Sequence, residues 1–377
     1  MRIGIDARMI NNTGIGVYIK NLIDGLSKID KKNEYLLFVD KKGFDDYKVQ
    51  QKNFTFIKIK SKIFSLGEQY ELPIKICKNN LDLFHGTHFN IPILCNCSVV
   101  VTIHDLILNL FPEEINSYKK KFYYHIIMNT SLRKSKKIIA VSENTKNDIM
   151  RLYRLPKEKV EVVYEAPASR FRKINNKIKF DFIKKKYSIY KEFMLYVGLK
   201  KPHKNLVRLI EAHNILRNVK NIDIALVISG KMDERYNEIM NIIDNYELND
   251  NVIFTGYIPD DELVDLYNLA KIFVFPSLYE GFGLPPLESM ACGTPVVSSN
   301  AGSLNEILDD AAIFFDAKNI YDMADKIYQV LTDIGLRERL IKMGLSRVKN
   351  ISWGKTAFKT LAIYKDIVNG KNKNTSD

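Results

Sequence analysis

The chain has 377 residues, 46% of them apolar and 27% charged. At about 100–200 residues per domain, that suffices for two domains with a core each, and it excludes collagen-like, low-complexity and largely disordered chains. The net charge of +13 is uneven: residues 1–170 carry 28 Lys+Arg against 18 Asp+Glu, a balance of +10, and the remainder carries +3. A basic half suits nucleic acid, an anionic membrane surface or a phosphorylated substrate, and composition alone does not choose among them.

No apolar run reaches the roughly 18–20 residues needed to cross a bilayer, so no transmembrane helix is expected. The segment Met1–Asp6 reads as a first strand rather than a signal peptide. Four cysteines form no disulfide framework, and Cys95 and Cys97 stand too close for a Cys-x-x-Cys pair. A reducing cytoplasm is the expected location.

In chain order, the strand Arg2–Asp6 leads through Gly14-Ile15-Gly16 into a helical pattern, Gly16–Ser27. A Gly-x-Gly-x-x-Gly dinucleotide fingerprint fails because position 19 is Ile19. A tight strand–helix turn is the plain alternative. Strands Tyr35–Val39, Thr55–Ile59 and Leu83–His85 follow. His85 and His88 have the look of a metal pair, but no third ligand accompanies them, so no metal is expected. Strand Ser98–His104 ends on His104-Asp105, and a strand-end histidine is often structural.

Residues Ser117–Lys137 carry seven basic side chains and no acid around Phe122, Tyr123, Tyr124, Ile126 and Ile127. Two readings stand level. The segment is a basic amphipathic helix lying on anionic lipid, or Phe122, Ile126 and Ile127 pack on a sheet beneath a solvated basic rim. Strand Lys137–Val141, helix Glu143–Leu152 and strand Val160–Val163 complete the first series.

The expected boundary lies within residues 165–192, around Pro167 and a Lys-rich, strand-poor stretch. It gives an N-terminal domain of residues 1–170 and a C-terminal one of residues 171–352. Strand Phe193–Val197 opens the second series and is followed by Gly198 and Pro202-His203-Lys204-Asn205. Lys204, just before a helix at Asn205–Leu216, can reach a diphosphate as a point charge. The alternative is a solvated lysine beside Lys200 and Lys201. Strands Ile224–Ser229 and Val252–Thr255 end in Ser229-Gly230-Lys231 and Gly256-Tyr257. After helix Asp260–Ala270, strand Ile272–Phe275 runs into Pro276-Ser277-Leu278-Tyr279-Glu280-Gly281-Phe282-Gly283-Leu284-Pro285-Pro286-Leu287-Glu288. Strands Pro295–Ser298 and Ala312–Phe315 and helix Asp322–Leu331 finish the sheet. A helix at about residues 353–369, expected to pack back on the N-terminal domain, and a polar tail from Gly370, expected to be disordered, end the chain.

Apolar strands alternating with helices predict an α/β protein with two doubly wound, Rossmann-like domains facing across a cleft. Ligands of such sheets bind beyond the carboxyl ends of the strands. In the segment 276–288, Gly281 and Gly283 permit close backbone approach, and the helix start opened by Pro285 or Pro286 favours an anion. Glu288, taken singly, reads as a first-turn acid complementing the helix dipole. Nothing local calls for a carboxylate at Glu280. Carboxylates accept from vicinal hydroxyls, so two of them beside an anion-binding helix start describe a site for a sugar nucleotide.

The Glu-x7-Glu element, with Gly-Phe-Gly-Leu-Pro-Pro and the following Met-Ala-Cys-Gly-Thr-Pro-Val-Val, resembles that of retaining glycosyltransferases of family 4, which have the GT-B fold. The resemblance covers nearly the whole chain. Ile5-Asp6-Ala7-Arg8 with Gly14-Ile15-Gly16 is similar to the family's first strand and acceptor-side glycine loop. Thr102-Ile103-His104-Asp105 is similar to its central N-domain strand end. Tyr196-Val197-Gly198 with Pro202-His203-Lys204-Asn205 is similar to the turn that opens its second domain.

The resemblance implies transfer of a hexose, of mannose or glucose type, from a nucleoside diphosphate sugar to a glycan or lipid-linked acceptor in cell-surface polysaccharide or glycoconjugate synthesis. Configuration would be retained and no metal or cofactor used. The chain has no Asp-x-Asp, the motif with which metal-dependent transferases of the other major fold hold a cation. By the same resemblance His104, Glu280 and Lys204 are the catalytic candidates. Gly14, Gly16, Gly198, Phe282, Gly283, Leu284 and Glu288 contact the donor, with Glu288 on the ribose and Glu280 and His104 at the transferred sugar. Many relatives carry an Arg after the glycine where this chain has Leu199; Lys200, Lys201 or His203 is left to replace it. Expected partners are the donor, the acceptor and an anionic membrane touched peripherally at the inner face of the plasma membrane, with no nucleic acid. The alternatives are another GT-B enzyme, such as a sugar-nucleotide epimerase, and a basic nucleic-acid-binding protein.

Overall fold

A computed structural model describes residues 1–115, 117–231 and 238–373. The chain divides into two compact units, Met1–Glu165 with Ser352–Asp377, and Ala166–Ile351. Both are parallel α/β units.

The first holds seven strands: β1 (Arg2–Asp6), β2 (Glu34–Val39), β3 (Phe54–Lys58), β4 (Leu83–Gly86), β5 (Ser98–Ile103), β6 (Lys137–Ala140) and β7 (Val160–Val162). Their order in the sheet is β3-β2-β1-β4-β5-β6-β7. All pairings are parallel. The period-2 alternation of strands then sends neighbouring residues to opposite faces. Leu36, Phe38, Phe84 and Val101 join one core layer with Tyr124, Ile127 and Leu132. Tyr35, Leu37, Leu83 and Val100 join the other with Leu22, Leu26, Leu361 and Tyr364.

That second layer is built partly by the helix Trp353–Lys373, whose residues Ser352 onward belong to the first unit. It crosses the helix Ile15–Ile29 closely, because a Cβ at Gly25 would lie 2.7 Å from that of Ala357. The helix also runs past the expected end at 369. Gly370–Lys373 is helical rather than disordered, and the rest of the expected tail lies outside the described residues.

The second unit holds β8 (Phe193–Val197), β9 (Ala225–Ser229), β10 (Val252–Gly256), β11 (Ile272–Phe275), β12 (Val296–Ser299) and β13 (Ala312–Phe315). Their order is β10-β9-β8-β11-β12-β13, again all parallel. Strand order therefore reverses between β1 and β4 in one sheet and between β8 and β11 in the other. Such switch points are where open α/β sheets place their ligands. The Lys-rich stretch after the boundary contains a helix, Lys177–Lys186, capped by the Asn176 side chain accepting from the Lys179 N–H. Among the described residues no helix is long and apolar enough to cross a membrane.

Candidate active site

In the second unit, the loops leaving β8 and β11 carry Lys204 and Glu280. Asn205, in the left-handed conformation at φ 61°, donates its side-chain amide to the carbonyls of Pro276 at 3.0 Å and Ala317 at 2.7 Å. The Leu278 N–H donates to the His203 carbonyl at 2.8 Å. These bonds lace the two loops together. Lys204 Nζ thereby reaches Glu280 Oε1 at 2.6 Å and lies over the Phe275 ring, 5.6 Å from its centroid. Ser277 Oγ donates to the same Oε1 at 2.5 Å. Oε2 of Glu280 receives no hydrogen bond among the described residues. An ammonium has three donors, so Lys204 keeps two beyond the one given to Glu280.

Gly302 fixes the carboxylate's backbone from behind. It has φ 59°, and a Cβ there would lie 2.6 Å from the Glu280 carbonyl oxygen. Ser303 donates its N–H and its hydroxyl to that same carbonyl. Gly283 caps the helix Leu284–Ala291 with φ 100° and ψ 60°. A helix start leaves its first N–H groups without intrahelical partners. Pro285 and Pro286 have none to offer, so the donors gather at Gly283 and Leu284.

Glu288 lies beyond the first helical turn, which contains no acid. Complementing the dipole is therefore not its role. It is buried, and the Tyr267 hydroxyl donates to its Oε2 at 3.0 Å. Burial, aided by the charge of Asp260, pushes its carboxyl up to about 7 against the opposing Tyr267 bond and Arg170. Oε1 receives no bond among the described residues.

The remaining second-unit positions fall into place around these. Gly198 and Gly230 pack backbone to backbone, since a Cβ on Gly230 would overlap the Gly198 carbonyl. Leu199, at the position of the family's Arg, is exposed. Lys200 turns inward instead. Its Nζ donates to the Gly230 carbonyl at 2.8 Å and lies over the Phe254 ring, and burial lowers its pKa to about 8.

In the first unit, Asp6 at the end of β1 grips Arg8 twice, Nε to Oδ1 at 2.8 Å and Nη2 to Oδ2 at 2.6 Å. Arg8 Nη1 donates to Glu68 at 2.7 Å. Glu68, fully buried, also takes bonds from the Phe64 N–H, the Asn90 amide and the Tyr123 hydroxyl. The cluster is closed on itself.

His104 follows β5, with Nδ1 2.9 Å from Glu165 Oε1 and Nε2 2.9 Å from the Thr87 carbonyl. Both partners are acceptors, so both ring nitrogens carry protons. Burial alone would depress the ring, but the hydrogen bond and charge of Glu165 outweigh it and raise the pKa. Neither nitrogen is left for a sugar hydroxyl in this arrangement. His85 is also engaged, with Tyr364 at 2.5 Å and Thr102 at 2.8 Å, and burial and the His104 charge hold it down to about 3.

The two glycines of the first loop separate. Gly14 has φ 70° and open space where a Cβ would be, whereas a Cβ on Gly16 would lie 2.5 Å from the Ile10 carbonyl oxygen. Gly16 serves the packing of the loop on its helix, and Gly14 is the open position. Sequence reasoning assigned no role to Ser277, although it stands three residues before Glu280 in the same loop. It missed Tyr267 in the second unit and Thr87, Glu165 and Glu68 in the first, each of which meets its partner from a different element with no local spacing to announce it.

Two parallel switch-point sheets, the second carrying a lysine–glutamate pair and a glycine-capped helix, make the α/β architecture of the GT-B fold. The family models agree along the chain. Residues 12–166 match Glycosyltransferase Family 4, and residues 179–347 match Glycosyl transferases group 1. O-antigen chain mannosyltransferase B of Escherichia coli is 30% identical over 75% of this chain and 74% of its own. O-antigen chain mannosyltransferase RfbU of Salmonella typhimurium is 31% identical over 70% and 69%. The chain belongs to glycosyltransferase family 4. Solved structures share the fold. Sucrose-phosphate synthase from Thermosynechococcus elongatus has a TM-score of 0.78 at 18% identity, covering 98% of this chain and 100% of its own. HepE from Anabaena, in complex with UDP and glucose, has a TM-score of 0.76 at 16% identity, covering 97% and 100%.

Proposed function

We propose that this glycosyltransferase moves a hexose from a nucleoside diphosphate sugar to a glycan or lipid-linked acceptor in cell-surface polysaccharide synthesis, retaining configuration and needing no metal. The observation that carries the reading is the Lys204–Glu280 pair at the β8–β11 switch point, which leaves Glu280 Oε2 and two lysine N–H groups without partners among the described residues. The O-antigen mannosyltransferases at 30% and 31% identity favour mannose among the hexoses.

In this reading Glu288 Oε1 accepts from the ribose hydroxyls and Glu280 Oε2 from those of the transferred sugar. Lys204 and the N–H groups from Phe282 to Leu284 meet the charge that grows on the departing diphosphate, where fixed donors act most strongly. Gly198 holds the adjoining loop close to the donor. In the first unit, Gly14 lines the acceptor-side loop, and His104 acts as a positioning residue through Glu165 and Thr87. No side chain is assigned as nucleophile; front-side displacement needs only stabilisation of the leaving group. The enzyme would work in the cytoplasm, at the membrane's inner face.

Incubation with labelled nucleoside diphosphate mannose and glucose, followed by determination of the anomeric configuration of the product, tests the reaction. Transfer with retention is expected, and an inverted product overturns it. EDTA should leave turnover largely intact. Loss restored by manganese or magnesium would defeat the metal-free mechanism.

A further inference from the structure

The segment Ser117–Lys137 left two readings level, and the structure separates its apolar residues. Along the helix Tyr118–Lys134, Tyr124, Ile127, Met128 and Leu132 face the core. Tyr118, Phe122 and Ile126 do not: they are 91%, 69% and 42% exposed. Spaced four apart, they form one ridge along the outer face.

Lys119, Lys120 and Lys121 stand beside that ridge in the first helical turn, where no acid accompanies them. Positive charge at a helix N-terminus opposes the helix dipole, so the helix itself gains nothing from them. Among the described residues none of the three is in an ion pair, and Lys121 lies over the Tyr118 ring.

A second element joins the same face. Tyr123 donates to Glu68, and the Phe64 ring stacks on Phe89, which meets Tyr124 edge-on. This ties the loop before Glu68 to the helix. In that loop Phe64 is 46% and Leu66 77% exposed. Phe64 holds a left-handed φ of 62°, an unfavourable conformation for a bulky residue. Glu68, accepting from the Phe64 N–H, helps keep it there. Lys60 and Lys62 flank it, both exposed.

We propose that this face, an apolar ridge fringed by lysines, docks the first unit on an anionic lipid bilayer. The side chains of Phe122, Ile126 and Leu66 enter the headgroup boundary, and the lysines meet lipid phosphates. Charge complementarity selects this occupant: Lys119, Lys120 and Lys121 beside the ridge and Lys60 and Lys62 beside the loop, with no acid between residues 117 and 137, in the half of the chain that carries +10. The inference does not depend on the donor or the reaction proposed above.

The test is co-sedimentation of the full chain with vesicles of phosphatidylcholine alone and of phosphatidylcholine with phosphatidylglycerol, at low and high salt. Binding is expected only to the anionic vesicles. It should weaken as salt shortens the screening length from about 10 Å at 0.1 M, and free inorganic phosphate at the same ionic strength should compete no better than chloride. Replacing Lys119, Lys120 and Lys121 by Gln should lower partitioning about tenfold or more. Phe122→Ser with Ile126→Ser should lower it roughly tenfold. Because all five side chains point away from the core, circular dichroism and melting should not change. No sedimentation at low salt, equal binding to neutral vesicles, or a serine double variant that binds like wild type would each overturn the proposal. So would a serine variant whose only effect is to abolish self-association in sedimentation velocity, since that would assign the ridge to a second copy of the chain.

Discussion

The two switch points handle buried charge in opposite ways. In the first unit, the carboxylates of Asp6 and Glu68 are closed around Arg8, and His104 has a partner at each nitrogen. In the second, Glu280 and Glu288 each have one oxygen engaged and one without a partner among the described residues. A closed cluster fixes the backbone it grows from but has nothing to give a ligand. A half-engaged carboxylate held by a lysine or a tyrosine is oriented and still able to accept. The contrast assigns shape to one set of charges and recognition to the other.

The contrast breaks most visibly at Arg8. Arg8→Met leaves Asp6 and Glu68 buried without a cation, which typically costs about 3–5 kcal/mol. Denaturant unfolding should show the first unit's transition moving and the second's holding still. A loss below about 1 kcal/mol would mean that the cluster is not the closed structural unit described here.

Glu280→Ala should do the reverse. Removing one charged hydrogen-bonding group costs about 1.5–3 kcal/mol, read here as a fall of roughly 10- to 150-fold in kcat/KM with melting little changed. A variant that melts early but turns over normally would move Glu280 into the structural set.

Glu288 gives a finer test through pH. With its carboxyl near 7, it is neutral below that pH and cannot accept as a carboxylate. Calorimetric affinity for the cognate nucleoside diphosphate should therefore fall as pH drops from about 8 to 6, by up to about tenfold per pH unit below 7. Glu288→Gln should remove that component of the slope while leaving any titration of the ligand phosphate in place.

His104 has the opposite linkage. Its folded pKa is raised above 6.5, so its contribution to stability is complete below 6.5 and is lost as pH rises through the folded value. His104→Asn should flatten that decline in a pH series of melts. The smallest effects separate the two loop glycines. Gly14→Ala meets only its positive φ, about 1 kcal/mol, whereas Gly16→Ala has no positive φ to meet but places a Cβ 2.5 Å from the Ile10 carbonyl oxygen and should cost more.

Much of this was legible in the sequence, for a local reason. Buried parallel strands are continuous apolar runs, and Phe193–Val197, Ile272–Phe275 and Ala312–Phe315 fall where the pattern puts them. A strand followed by glycines and prolines likewise shows that a ligand-facing turn comes next, as at 276–288. Partnership was not legible. Lys204 and Glu280 are 76 residues apart, and Glu165 meets His104 across 61; only the strand order brings them together. Pro73 inside the helix Glu68–Lys78 hid that element, and Glu68 with it.

The helix Trp353–Lys373 has a consequence for synthesis. Ala357, Leu361 and Tyr364 complete a core begun by Ile3 and Ile5, and all of residues 166–351 are translated in between. On the ribosome the usual N-terminal-first order is therefore inverted. The second unit leaves the ribosome ahead of that helix, and until the helix follows, the first has His85 lacking Tyr364 and one face of its sheet uncovered. A released chain truncated after residue 351 should hold a finished second unit beside an unfinished first one, which makes the first the natural client of a chaperone.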